Sequence, residues 1–383
     1  MRNVLLLLAV LTLGAAVAQE PIKIGVNLEL SGRMAVTGND TLRGIQVAQQ
    51  QTPEVLGRTI ELSICDNASS VQGSVACANR FVDEGVVAVL GSYSSSHSIP
   101  AAEVLQDAGI VMISTGSTNP ATTQIGDYIF RIPYTDVFQG NVAAQYSHNE
   151  LGASRVAIFR QQDDDYSVGL AGFFKEAFEA MGGQTITVDF TANTVDFSAQ
   201  INNLRTFRPD MIYYPAFCAE AASLVPQLRQ QGFDQPILGG DASDDSQCPE
   251  GGGRAFDGFT FTSFAEPEVM TGAAAERAAD FGRAFHKAFP DAPFTGFVLS
   301  GADAYFVTIE GLSQADSDDP AALQAALADL EGFPGVSGEI TYAGTDGTPA
   351  NRVMGLYRYD VKGPSDWQKT VVKGISLEES AGQ

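Results

Sequence analysis

Short apolar runs rich in β-branched residues alternate along this chain with stretches whose apolar positions recur every three to four residues. The runs at 22–30, 59–65, 86–90 and 110–113 predict buried strands, and the stretches at 42–50, 75–82 and 101–106 predict the helices between them. Continuous rather than alternating hydrophobicity marks strands covered on both faces, so the first third predicts a parallel sheet flanked by helices. The pattern then restarts. A helix at 136–151 leads to strands at 155–159, 185–190, 211–214 and 236–238, separated by helices at 168–181, 197–207 and 220–231. Two doubly wound α/β units in series are the simplest reading. No short-period repeat runs through them, which argues against a solenoid. The last third is less regular, with long helices at 273–289, 297–312 and 320–330 and strands at 339–342 and 354–359. No linker rich in Gly, Pro or Ser separates the units, so the chain is expected to cross between them more than once.

The first residues differ in kind. Arg2 precedes the apolar run Val4–Leu13, and Gly14-Ala15-Ala16-Val17-Ala18-Gln19 follows. A basic start, a short apolar stretch and a small-x-small site predict a secretory signal peptide over 1–18, cleaved after Ala18. The run is too short for a membrane span, which needs about 20 residues. No Cys follows the site, so no N-terminal lipid anchor is expected. No later stretch is apolar enough to cross a bilayer, and the mature chain is expected to be soluble and periplasmic or otherwise extracytoplasmic. The 383 residues, 44% of them hydrophobic, suffice for two packed domains. A net charge of −24, with no cluster of Lys and Arg, argues against nucleic acid and anionic lipid as partners. Cys65, Cys77, Cys218 and Cys248 are an even set in an exported chain, which favours disulfides. Sequence order suggests two local pairs, Cys65 with Cys77 and Cys218 with Cys248, among three possible connectivities. The spacings do not suit a metal.

Ligands of open parallel sheets lie at the carboxyl ends of strands. After the third strand comes Gly91-Ser92-Tyr93-Ser94-Ser95-Ser96-His97-Ser98, with a helix expected to start near Pro100. Hydroxyls and unpaired amides at the positive end of a helix suit a carboxylate; the plainer alternative is one capping Ser with the others solvated. After the fourth strand, Ser114-Thr115-Gly116-Ser117-Thr118-Asn119-Pro120 offers a close backbone approach at Gly116 and a hydroxyl at Thr118, or simply an Asn-Pro turn. In the second unit Tyr166, Phe217 and Asp241 follow strands. An acid at such a place either balances an ammonium group or caps a helix.

Ile22-Lys23-Ile24-Gly25-Val26, then Leu30-Ser31-Gly32 and Gly38, resembles the opening of the branched-chain (Leu/Ile/Val-type) amino-acid binding proteins of ABC transporters. Gly91 with Ser94-Ser95-Ser96, and the loop from Ile113 to Pro120, are similar to that family's two ligand loops. The likeness continues through Tyr166, Tyr213-Tyr214, Asp241 and Phe297-Val298. It implies a type I periplasmic-binding-protein fold, two doubly wound Rossmann-like lobes joined by a three-segment hinge. Residues 19–137 and 266–350 would form lobe 1, and residues 138–265 and 351–383 lobe 2. Ser95 and the amides near Thr118 would take a ligand carboxylate, with Ser94 beside them in the ligand site. The Gly116 carbonyl, the Thr118 hydroxyl and Asp241 would take its ammonium, Tyr166 would close over it, and Tyr93, Thr37, Phe217 and Phe297 would line the side-chain end. Family members often carry Tyr where Thr37 and Phe217 stand, and Glu where Asp241 stands, so a strictly Leu/Ile/Val pocket is not implied. Glu29 is expected near the cleft mouth or in solvent.

The expected function is capture of a branched-chain or related small amino acid by a monomer that delivers it to ABC transporter permease subunits, with no cofactor and no metal. The alternative is a receptor of the same fold for an amide, urea or aromatic acid, with no need for Asp241. An enzyme is disfavoured. The three His are His97, His148 and His286, no nucleophile elbow or metalloprotease motif occurs, and His97 beside Ser94–Ser96 lacks an evident orienting acid. Asp163, Asp164 and Asp165 read as an acidic turn rather than a cation site.

Overall fold

The computed structural model describes residues 20–363 and 365–376; the signal peptide expected at 1–18 lies outside them. β1 (Ile22–Leu28), α1 (Ala35–Gln51), β2 (Glu54–Val55), β3 (Arg58–Asp66), α2 (Val71–Glu84), β4 (Ala88–Gly91), α3 (Ser95–Ala108), β5 (Val111–Ser114) and β6 (Ile129–Arg131) build the first unit. Its sheet runs β2-β3-β1-β4-β5-β6, parallel except for the β2–β3 hairpin. All four residues of β4 and of β5 are buried, as the continuous apolar runs require.

The second unit comprises α4 (Asp136–Gln145), β7 (Arg155–Gln161), α5 (Asp165–Ala180), β8 (Gln184–Phe190), α6 (Ser198–Phe207), β9 (Met211–Tyr214), α7 (Cys218–Gln230), β10 (Ile237–Gly239), α8 (Gln247–Gly252) and β11 (Thr260–Phe264). Then α9 (Gly272–Ala288), α10 (Gly296–Ala315) and α11 (Pro320–Ala328) return to the first sheet. Phe281, Leu299, Tyr305 and Leu323 share one core with Ile22, Ile24 and Val111. A small ribbon, β12 (Phe333–Gly335) with β13 (Gly338–Ile340), precedes β14 (Val353–Gly363) and β15 (Asp366–Ser376), which complete the second sheet in the order β15-β14-β11-β10-β9-β7-β8. The chain therefore passes between the sheets three times. This is the type I periplasmic-binding-protein fold of two α/β lobes. Among the described residues no helix is long and apolar enough to cross a membrane.

Several elements depart from the sequence pattern, β2, β6, α8, β11 and β12 among them, and two departures bear on the argument. α3 starts at Ser95, five residues before the expected Pro100, so the Ser run is its first turn. β15 is a full strand where none was expected. Its residues are mostly half-exposed at the sheet edge, and such a strand carries no apolar run.

Strand order reverses between β1 and β4 in one sheet and between β7 and β9 in the other. Both crevices open at the carboxyl ends of the strands, so the loops after β1, β4, β5, β7, β9 and β10 converge between the lobes.

Candidate functional site

The loop from β4 into α3 is held from behind by Glu29. Asn27 pairs with Gly91 across the sheet, which brings Glu29, two residues on, beneath that loop. Its carboxylate is fully buried and accepts from the amides of Tyr93 at 3.1 Å and Ser94 at 3.2 Å, and it meets His97 Nδ1 at 2.6 Å. Glu29 is therefore interior, not at the mouth or in solvent, and His97 does have an acid partner. The Ser96 hydroxyl, however, donates to Asp164 at 2.9 Å and accepts from the Asp165 amide at 2.7 Å, which commits it to the other lobe.

Ser94 occupies the N-cap of α3, yet its hydroxyl makes no capping bond and has no hydrogen-bond partner among the described residues. The Ser95 oxygen accepts from Ser117 Oγ at 3.0 Å and the Asn119 amide at 3.3 Å, which leaves its own hydrogen to donate. With the free amides of the first helical turn these hydroxyls make an anion-accepting wall.

Gly116 closes against Tyr93. A Cβ there would stand 2.5 Å from the Tyr93 ring, so only glycine admits this approach. Behind the loop, buried Arg131 donates to the carbonyls of Ser117 at 2.8 Å, Asn119 at 2.9 Å and Pro120 at 3.3 Å, and to the Thr123 hydroxyl at 3.0 Å. Burial lowers its pKa to about 10, which leaves it cationic at neutral pH.

The facing lobe supplies Tyr166, Phe217, Asp241 and Ala242. Asp241 is buried after β10, and its Oδ1 accepts from Gln139 Nε2 at 2.8 Å. Burial raises its pKa to about 6, with the Gln139 and Tyr166 hydrogen bonds opposing. Gly240 makes room for this arrangement, since a Cβ would stand 2.2 Å from the Tyr166 hydroxyl. Burial, then the nearby Asp241, holds the Tyr93 and Tyr166 hydroxyls well above the usual tyrosine range, so both remain protonated donors. Tyr166 lies 5.7 Å from Phe217, centroid to centroid, and Tyr93 meets the Phe217 edge at 6.3 Å.

Together Tyr93, Ser94, Ser95, Gly116, Tyr166, Phe217, Asp241 and Ala242 line a narrow cavity of about 10 Å³, room for roughly one water. Three other candidate residues stand outside its wall. Phe297 packs edge-on behind Tyr93 at 5.2 Å, Thr37 donates to Asp245 Oδ2 at 3.4 Å, and the buried Thr118 hydroxyl faces the Asp136 carboxyl. Asp163 accepts from the Ala192 amide at 3.1 Å, and Asp164 both caps α5 through the Ser167 amide at 2.9 Å and takes the Ser96 hydroxyl from the other lobe. Disulfides join Cys65 to Cys77 and Cys218 to Cys248; the second ties the start of α7 to α8, beyond the Asp241 segment.

Sequence pattern missed two groups. Arg33, after β1, spans the cleft to Glu220 at 3.1 Å and Gln161 at 3.2 Å, and its guanidinium lies 4.8 Å over the Phe217 ring. Asp136 and Gln139 lie on α4; an acid opening a helix reads as a complement to the dipole, and only its burial marks it out.

Residues 21–364 match the protein family described as periplasmic binding protein. The chain is 29% identical over 352 residues to the Leu/Ile/Val-binding protein BraC3 of Rhizobium johnstonii, covering 90% of this chain and 94% of that one. The crystal structure of a leucine binding protein, LivK, from Thermotoga maritima superposes with a TM-score of 0.88 at 31% identity, covering 94% of this chain and 99% of that one. The branched-chain amino acid binding protein LivJ of Streptococcus pneumoniae, in complex with isoleucine, gives a TM-score of 0.82 at 25% identity, over 92% and 100%.

Proposed function

The chain belongs to the periplasmic binding protein family, and from that premise we propose that it is the extracytoplasmic solute-binding component of an ABC importer, closing over a small amino acid and presenting the closed form to permease subunits. One observation carries this reading: a single cavity has hydroxyls and helix-end amides on one wall and the Asp241 carboxylate on the other. A zwitterion is the ligand class that satisfies both at once, with a charge-assisted bond at each end. The ligand's side chain would lie at the aromatic end of this narrow cleft. Tyr93, Tyr166 and Phe217 give that side chain an apolar surround. The Leu/Ile/Val-binding, leucine-binding and isoleucine-bound relatives support an aliphatic amino acid.

Capture is a hinged trap. Ser94, Ser95 and Gly116 hold the ligand on one lobe, and Tyr166, Phe217 and Asp241 are added only on closure, so binding shifts the population toward the closed form. The test is Asp241→Ala, titrated calorimetrically with L-leucine. Affinity is expected to fall by about 100-fold or more, the cost of removing one partner of a buried charge pair, with the melting temperature retained. Unchanged affinity would withdraw the ammonium assignment.

A further inference from the structure

One residue of the first lobe is gripped from two directions by the facing lobe. The Arg33 guanidinium meets Glu220, in the first turn of α7, at 3.1 Å, and the Arg33 carbonyl accepts from Gln247, the first residue of α8, at 3.3 Å. Asp245, two residues before α8, adds a third link across the cleft. One of its oxygens accepts from Thr37 at 3.4 Å, and the other accepts from the Gln247 amide at 2.8 Å.

The two grips come from separate parts of the chain, and the Cys218–Cys248 disulfide joins them at their roots. Cys218 opens α7, directly after the cavity residue Phe217 and two positions before Glu220, and Cys248 follows Gln247. α8 is weak on its own. It is six residues long, with Pro249, Gly251 and Gly252 among them, too short and too poor in helix formers to hold its shape unaided. Cys248 is fully buried in the apolar core of its lobe with Leu224 and Phe256. Ahead of α8 the same segment supplies Asp241 and Ala242 to the cavity wall. The Tyr359 hydroxyl fixes the middle of that segment, donating to the Ser243 carbonyl at 2.8 Å and accepting from the Asp245 amide at 3.1 Å. The disulfide fixes the end that carries Gln247.

We infer that the Cys218–Cys248 disulfide is a positioning element of ligand capture: it makes the starts of α7 and α8 one jaw, so that both grips on Arg33 form together on closure, and without it bound ligand escapes faster from lobes that remain folded. This rests on the hinged-trap reading above and adds to it a covalent bond and a rate. The coupling is reciprocal. A bond whose reduction weakens ligand binding is harder to reduce, by the same factor, once ligand is bound. The Cys65–Cys77 bond joins β3 to α2 within the first lobe and is the internal control.

The test brings the native protein to equilibrium with mixtures of reduced and oxidised dithiothreitol, with and without saturating L-leucine, and locates the free thiols by alkylation and mass spectrometry. Reduction breaks the S–S bond and yields two thiols as dithiothreitol closes to its cyclic disulfide. If a thermal-shift screen ranks another of the twenty amino acids higher, that one is the probe. Leucine is expected to raise the ratio of reduced to oxidised dithiothreitol needed to open Cys218–Cys248 about tenfold, the share of one hydrogen bond to a charged group, and to leave Cys65–Cys77 unchanged. This measurement needs no variant to fold. In stopped-flow displacement, the double variant Cys218→Ala, Cys248→Ala should release leucine about tenfold faster than wild type, and the double variant Cys65→Ala, Cys77→Ala at the wild-type rate. Protection of neither bond, or equal protection of both, overturns this proposal alone, because a staple that only stabilises its lobe would behave so. A lowered melting temperature with an unchanged off-rate in the Cys218, Cys248 variant overturns it likewise. Absence of binding by any amino acid overturns the underlying reading and this one with it.

Discussion

At the scale of single residues, the informative side chains are those whose obvious structural role is left unfilled. Ser94 sits at the N-cap of α3 but does not cap it, and its hydroxyl faces the cavity. A working cap would cost about 1 kcal/mol of stability on replacement by alanine. Ser94→Ala is therefore expected to leave the melting temperature within a degree or two of wild type while weakening leucine binding about tenfold, the share of one hydrogen bond to a charged group. Paired thermal unfolding and calorimetry decide it; a loss of stability with unaltered binding would return Ser94 to the role of a cap. The same logic separates Ser94 from Ser96, whose hydroxyl is spent on Asp164 and Asp165 across the cleft. Three consecutive serines thus divide into two that face the cavity and one that joins the lobes.

At the scale of elements, the loop after β1 does more than its polar sequence suggests. Arg33 reaches from it to Glu220 at the start of α7, 187 positions away, and Gln247 returns a bond to the Arg33 carbonyl at 3.3 Å. Glu220 is only 2% exposed, so losing its partner leaves a buried charge with one remaining donor, the Asn193 amide. Arg33→Ala is expected to weaken ligand binding by about 2 kcal/mol, roughly 30-fold, mainly through faster release, because the bond exists only when the lobes meet. Stopped-flow displacement measures that rate, and an unchanged off-rate would show that Arg33 is not part of closure. The contrast between this loop and its strand shows what is legible in sequence. β1, β4 and β5 were readable because parallel strands covered on both faces leave local apolar runs, and the ligand loops because they follow those strands. The fold class and the convergence of Ser95, Gly116, Tyr166 and Asp241 came from that pattern and the family likeness. Arg33 with Glu220, Glu29 with His97 and Asp136 with Asp241 left no local trace, since each pair is made by topology across 68 or more positions. β15 was lost because an edge strand with mixed exposure has no apolar signature, and the start of α3 because Pro100 lies inside the helix.

At the scale of the whole molecule, the buried acids that recognise a ligand also govern closure. In the closed arrangement burial raises Asp241 to about 6, and Asp245, which accepts from Thr37 of the opposite lobe, is raised to about 6 by the same cause. When the lobes part these carboxyls meet water and return toward the usual value near 3.8. The sign follows from linkage. Between about pH 4 and pH 6 the closed form binds more protons than the open one, so falling pH favours closure without ligand, and rising pH opposes it until both forms are ionised. A rise from 3.8 to about 6 at Asp241 alone is worth about 3 kcal/mol, a change of roughly 100-fold in the ratio of open to closed. At neutral pH the ionised carboxylates keep the ligand-free lobes apart, and a ligand ammonium removes the opposition that they create. Small-angle scattering of the ligand-free protein should accordingly show a smaller radius of gyration at pH 5 than at pH 8. Asp241→Asn should be more closed than wild type at pH 8 and respond less to acid, with Asp245 supplying the remainder. Lobe separation that is the same at both pH values, in wild type and variant alike, would mean that closure is driven by the rim contacts of Arg33 and Ser96 and not gated by buried charge.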